Sequence, residues 1–462
     1  MYDVLYQPHR RWFGDCMPVH HDGTFYLFHQ RDTRRLGPLG EPFGWSLVTT
    51  SDFVSYADHG DVIPRGGDDE QDRFIYAGSV FRADETFYAY YTGHNSSYAS
   101  RGLPTEVLMT ATSPDLVTWT KTGERLAPPE PGYDPDDWRD PFVLRDPASG
   151  EYMMILGARH RAESRQLTGA TVYFTSPDLQ AWTFRGDLWG PGLYTMHQMP
   201  DLFAIGDTWY LLAHEYSDRI RTIYRIGDSP TGPWRTPADD CFDGRAYYAA
   251  RTASDGERRY LFGWVPTREG DSDVGNWQWG GTLLVHEVVQ RADGSLGTAL
   301  PDTIRRAYGM VTEYLPGPIV LRSTGDLVER QLGTAPSESF VLTATITITD
   351  PTLQIGIRVG EDDAGGGYEF RLSPVEGRLG FGRRPNPRWK EFTGTGLDRP
   401  LRLTTGREYT LEVIVDHDIA AIYIDAVALS TRMCAPPGRR VSIHVVDGAV
   451  LLHQARIARR AS

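Results

Sequence analysis

Cysteine is scarce: only Cys16, Cys241 and Cys434 occur, far apart and odd in number. That excludes a disulfide framework and the close pairs of a structural metal site, and it suits reduced thiols in a cytoplasmic protein. The opening run Met1-Tyr2-Asp3-Val4-Leu5-Tyr6 lacks the basic and apolar regions of a signal peptide. The cytoplasm is therefore the expected location, although removal of a leader would leave the same sequence. No apolar run approaches the roughly 20 residues of a membrane-spanning helix. Basic excess is also missing: 47 Lys and Arg face 61 Asp and Glu, a net charge of −14. Nucleic acid and anionic membrane are thus not expected partners, whereas a neutral, hydroxyl-rich ligand is compatible. No glycine-rich phosphate loop or nucleophile elbow occurs, and no cofactor is expected. Up to about residue 300 no segment keeps a 3.6-residue apolar period, which argues against a helical protein.

What is present points to β-structure. Twelve Trp, 24 Tyr, 48 Gly and 31 Pro in 462 residues favour short strands, many turns and aromatic-lined clefts, and the length fits two domains. Three segments repeat one pattern: Ser51-Asp52-Phe53-Val54-Ser55-Tyr56, Ser113-Pro114-Asp115-Leu116-Val117-Thr118-Trp119 and Ser176-Pro177-Asp178-Leu179-Gln180-Ala181-Trp182. Their Asp residues are 63 positions apart each time, and a looser fourth copy is Asp228-Ser229-Pro230-Thr231-Gly232-Pro233-Trp234. Each reads as an Asp-initiated turn followed by an aromatic that packs on the next strand. Strand-like runs lie between these turns, at 25–28, 87–91, 152–156 and 209–212, each after a turn such as Asp22-Gly23. A unit of this size over 300 residues predicts a propeller of about five blades; a β-helix has much shorter repeats.

The fold class expected is all-β: a five-bladed β-propeller over 1–305, a connector over 306–336 with a short helix near 301–308, and a β-sandwich over 337–462. Plain alternation at 340–348 and 409–415, with a hairpin partner at 419–425, carries the sandwich.

A propeller gathers loops from every blade at one end of its axis, so groups distant in sequence converge there. Three polar clusters beside aromatics stand at blade starts: Trp12-Phe13-Gly14-Asp15-Cys16, Trp138-Arg139-Asp140-Pro141-Phe142 and His197-Gln198-Met199-Pro200-Asp201. Sugar hydrolysis needs a carboxylate nucleophile or base and a protonated acid. Singly, each Asp is an ordinary turn former. In this order, the set resembles glycoside hydrolase family 32, the invertases and levanases, over nearly the whole chain.

That resemblance implies a retaining, exo-acting glycosidase for a furanoside, with a β-D-fructofuranoside as the first choice. Asp15 falls at the nucleophile and Asp140 at the transition-state stabiliser. Gln198 falls at the acid/base position, where the family has Glu. It also implies sugar contacts from Gln30, Trp45, Tyr76, Ser79 and Arg139, and the same reading adds His94 and a stacking role for Trp277, with Trp279 beside it. His94, His197 and His214 lack metal-ligand spacing, so no metal is expected. Asp243, Val415-Asp416-His417-Asp418 and Leu429-Ser430-Thr431-Arg432 match fifth-blade and sandwich segments of the family.

Two departures stand out. Gly14, Cys16 and Met17 replace the residues that flank the family nucleophile, which leaves room for another furanose such as β-D-arabinofuranose. Gln198 accepts and donates hydrogen bonds but cannot give a proton to a leaving alkoxide. Three readings follow: an inactivated Glu→Gln form of an enzyme, natural or engineered; an enzyme whose acid stands elsewhere, with Glu215 as the candidate; or a carbohydrate-binding protein descended from an enzyme. A family 43-like inverting arabinanase or xylosidase is the competing enzyme reading.

Overall fold

The repeated Asp turns recur because each joins the third and fourth strands of an antiparallel blade. Asp52 accepts from the backbone N–H of Val54 and Ser55 at 2.9 and 2.7 Å, and Asp115 from Val117 and Thr118 at 2.9 and 2.6 Å. Asp178 does the same for Gln180 and Ala181, both at 2.9 Å. The residue after each Asp turns left-handed (Phe53 φ 60°, Leu116 φ 67°, Leu179 φ 65°), and each of the three is buried. Three apolar residues in that strained region are tolerated because the carboxylate fixes the turn and the core takes the side chain. The looser copy lacks this carboxylate bond; there Ser229 Oγ donates to the Gly232 carbonyl at 2.6 Å instead.

The computed structural model describes residues 2–126, 128–161, 166–217, 219–386 and 394–461. It contains five antiparallel blades. Blade one runs from Trp12–His21 to Ala57–Ile63, and blade two from Phe74–Ala83 to Thr120–Leu126. Blade three runs from Tyr133–Arg145 to Thr183–Trp189, and blade four from Met196–Ile205 to the two-residue strand Trp234–Arg235. Blade five runs from Tyr248–Ser254 to Leu296–Ala299. The first strands of successive blades contact one another around the ring, so they surround the axis. The ring closes where Phe13 pairs with Gly281.

After the short helix Asp302–Ala307 the chain enters the β-sandwich. The stretch expected as a connector is largely strand: Met310–Thr334 pairs along most of its length with Arg440–Arg459. Its side chains are mostly exposed and it carries Pro316 and Pro318, which hid the strand pattern. The long strand Arg440–Arg459 changes its second neighbour midway. Arg440–Arg459 pairs first with Gln354–Glu361 and then with Ser339–Asp350, so one ten-stranded sheet folds over itself around Ile346, Ile357, Phe370, Leu411 and Ile422.

Asp243 and the sandwich hairpin around Asp416 and Arg432 fasten the two parts together. Asp416 accepts from the backbone N–H of Asp3, Val4 and Leu5 at 3.0, 2.9 and 2.9 Å. Arg432 donates to the Pro266 and Val265 carbonyls at 2.9 and 3.1 Å. The Asp243 carboxylate takes the Ser430 N–H at 2.8 Å and lies 3.0 Å from His286 Nε2.

Candidate active site

Every first strand breaks register at the same level. Pairing slips between Phe13 and Cys16 in blade one, between Ile75 and Gly78 in blade two, and opposite Ile155–Gly157 in blade three, where Asp140 and Pro141 stand. It slips again between Gln198 and Asp201 and between Tyr248 and Arg251. A bulge leaves residues unpaired and re-aims their side chains. Five of them at one level turn Asp15, Tyr76, Asp140, Gln198 and Tyr248 into a shared cavity of about 480 Å³. Asp140, Met199 and Ala249 pay for this with positive φ, at 64°, 50° and 51°.

The bulged residues brace one another across blades. Asp140 Oδ2 accepts from the Met199 N–H at 2.9 Å, and the Asp140 N–H donates to Thr92 Oγ1 at 3.0 Å. Arg251, 1% exposed, reaches from blade five to the Gly78 carbonyl and, at 2.8 Å, to the Asp140 carbonyl. Trp264 Nε1 donates to Asp15 Oδ1 at 3.2 Å, and Tyr248 Oη donates to Gln198 Oε1 at 2.8 Å. A glutamate carboxylate at 198 could accept that same bond.

Burial, followed by the charge of Asp140, pushes the Asp15 carboxyl up to about 7. Glu106, 3% exposed, also lines the cavity, and burial outweighs its Arg139 partner to raise it to about 7. Burial together with the Arg139 charge lowers His94 to about 4, so it is neutral at pH 7.

Asp15, Asp140, Gln198, Gln30, Tyr76, Arg139 and Trp277 all reach the cavity, as does Trp279. Trp45, Ser79 and His94 are not part of its lining. Trp45 is fully buried on a third strand, and its Nε1 supports the Tyr76 carbonyl at 3.1 Å. Ser79 lies past the bulge and accepts the Val143 N–H at 3.1 Å. His94 stacks behind Tyr76, with ring centroids 4.5 Å apart. Glu215 fails as the alternative acid. It pairs across the strands with His197, and both side chains are buried outside the cavity lining. Glu215 instead lies 3.8 Å from Arg219 and accepts from Ser217. His197 stacks on Trp189 and His214 packs against Tyr248.

Glycine at position 14, beside Asp15, has a steric reason. A Cβ on Gly14 would lie 2.5 Å from Trp279 Cη2, so the indole occupies the space a side chain there would need. Sequence reasoning missed Glu106, Tyr248 and Arg251. Tyr248 stands in a segment the sequence places in the fifth blade without giving it a role, and no motif marks Glu106 or Arg251; each of the three acts through a fold contact with a residue of another blade.

A cavity on a propeller axis, walled by Trp and Tyr and holding paired carboxyls, is a site of the glycosidase kind. Residues 6–296 match the glycosyl hydrolases family 32 N-terminal domain, and the chain belongs to that family and is a glycoside hydrolase. It is 24% identical to the sucrose-6-phosphate hydrolase of Escherichia coli, across 96% of this chain and 90% of that protein. The Salmonella typhimurium sucrose-6-phosphate hydrolase is 33% identical over 44% of this chain and 46% of its own. In fold, the chain resembles sucrose-6-phosphate hydrolase from Lactobacillus gasseri (TM-score 0.78, 18% identity, 100% and 93% covered). It equally resembles a Glu→Gln form of fructan 1-exohydrolase IIa from Cichorium intybus in complex with 1-kestose (TM-score 0.80, 15% identity, 100% and 98% covered).

Proposed function

We propose that this protein is built as a retaining exo-glycosidase for a β-D-fructofuranoside. Asp15 is its nucleophile, Asp140 its transition-state stabiliser, and position 198 its acid/base site. The observation that carries the reading is the convergence of these three residues, from blades one, three and four, on one cavity through equivalent bulges. The ionised Asp15 carboxylate attacks the anomeric carbon while the bond to the leaving oxygen breaks, and Asp140 offsets the positive charge that develops on the ring. Water then releases the sugar from the Asp15 ester. The leaving oxygen needs a proton and the attacking water must lose one. Gln198 can do neither, so this chain cleaves slowly an otherwise well-held substrate. The family match over 6–296 supports this reading over a family 43-like inverting enzyme.

Gln198→Glu tests the assignment. Sugar release is measured from sucrose, sucrose 6-phosphate, 1-kestose and a β-D-arabinofuranoside. The expected rise is about 10²–10⁴-fold on at least one of them, the usual worth of a general acid. A Glu form no faster than the parent on every substrate refutes the acid/base site and leaves the carbohydrate-binding reading standing.

A further inference from the structure

Arg139 is a fork of five donors, yet all its hydrogen bonds to described residues fall on one nitrogen. Nη1 donates to Asp137 Oδ1 at 2.6 Å and to Glu106 Oε1 and Oε2 at 3.2 and 3.3 Å. Nε and Nη2 make no hydrogen bond among the described residues. The side chain is 14% exposed and lines the cavity beside Asp140. The anions therefore grip one corner of the guanidinium and leave its other donors for a ligand.

Glu106 comes from blade two, whereas Arg139 and Asp137 share a strand of blade three. Its backbone is anchored. Thr105 Oγ1 donates to Asp136 Oδ1 at 2.5 Å, and Gln71 Nε2 donates to the Thr105 carbonyl at 3.0 Å. Glu106 Oε2 also accepts the Trp138 N–H at 2.9 Å, one residue before Arg139. Asp137 alone could not fix the fork, because it is shared with Arg159 at 2.9 Å.

We infer that Glu106 is a positioning residue for substrate binding: it holds Arg139 so that the free donor edge of the guanidinium meets the hydroxyls of the bound furanose. This rests on the glycosidase reading of the cavity. A purely structural latch through the Trp138 N–H would need only an acceptor, which a glutamine also provides. Positioning needs the negative charge, because an amide holds a guanidinium far more weakly.

The test uses the full chain and Glu106→Gln at about pH 9, where the Glu106 carboxyl is ionised, with Glu106→Asp as the conservative partner. Fructose and sucrose binding is followed by quenching of the cavity tryptophans, turnover by sugar release, and folding by thermal melting. Glu106→Gln should weaken sugar binding and raise KM by about tenfold or more, the worth of a charge-assisted hydrogen bond. Its kcat should change less than threefold and its melting temperature little, and Glu106→Asp should recover part of the affinity. Unchanged affinity in Glu106→Gln overturns the inference. So does a kcat loss confined to substrates with poor leaving groups and spared on an aryl fructoside, which would make Glu106 the proton donor. If the parent binds neither sugar, the same comparison is made on whichever furanoside of the panel it does bind. Binding of none overturns the glycosidase reading and this inference together, whereas binding by the parent with unaltered affinity in the variant overturns this inference alone.

Discussion

Two sets of aspartates divide this molecule. Asp52, Asp115 and Asp178 stand at the outer turns of blades one to three, and each is satisfied by backbone N–H groups two and three residues ahead. Hydrogen bonding to the charged form holds all three carboxyls below the usual range, against whatever burial adds. Asp15 and Asp140 stand at the inner bulges and are braced from afar, Asp15 by Trp264 and Asp140 by Thr92 and Met199. Burial raises Asp15 to about 7. The same side chain is thus a local structural pin at the rim and, as Asp15, a buried group at the axis whose charged form burial disfavours. Proteins concentrate such strain where chemistry needs it.

The largest effect should come from Arg251, the buried cation behind the inner set. Arg251→Met removes its links to the Gly78 and Asp140 carbonyls and leaves nearby carboxylates uncompensated, at a cost of about 3–5 kcal/mol in urea unfolding. A loss below about 1 kcal/mol would mean that the blades do not depend on it.

Asp15→Asn should separate function from stability. It abolishes turnover in the Gln198→Glu background, yet it raises the melting temperature. The folded carboxyl sits near 7, above its ordinary 3.8, so ionising it costs the folded state. The stability this group contributes is therefore present at low pH and lost as pH rises through about 7. The gain from Asn should be full above about pH 7, shrink below that, and vanish near pH 4. A melting gain independent of pH would refute the shift. By the same titration, turnover of the Gln198→Glu form should fall as pH drops through about 7, because the nucleophile must be ionised.

Gly14→Ala drives a methyl to within 2.5 Å of the Trp279 ring. The indole must move, which should raise KM several-fold and cost about 1–3 kcal/mol of stability. Unchanged KM with sucrose and 1-kestose would show that Trp279 does not face the sugar. Asp52→Ala, on the outer set, should cost only about 1 kcal/mol in unfolding, like a lost helix cap, with kcat and KM unaltered. A marked change in either kinetic constant would erase the distinction between rim and axis.

The outer set was legible because its physics is local. An Asp that bonds the next backbone amides leaves a fixed pattern in the chain, and three copies 63 residues apart gave the blade repeat. The second strands of the first four blades were legible from their short apolar runs after turns, whereas Asp15, Asp140 and Gln198 stood out only through the resemblance of their clusters to a known family. The strand Met310–Thr334 was not, since an exposed edge with prolines lacks a clear alternation.

The sequence alone therefore determined the β-rich repeat, and its resemblance to a known family pointed to Asp15, Asp140 and Gln198 as candidate site residues. Only the tertiary structure decided which side chains enter the cavity. Trp45, Ser79, His94 and Glu215 lie outside its lining, Glu106 and Tyr248 line it, and Arg251 lies buried behind it. Orientation at a bulge and pairing between blades depend on neighbours tens to hundreds of residues away, and no local pattern encodes such a neighbour.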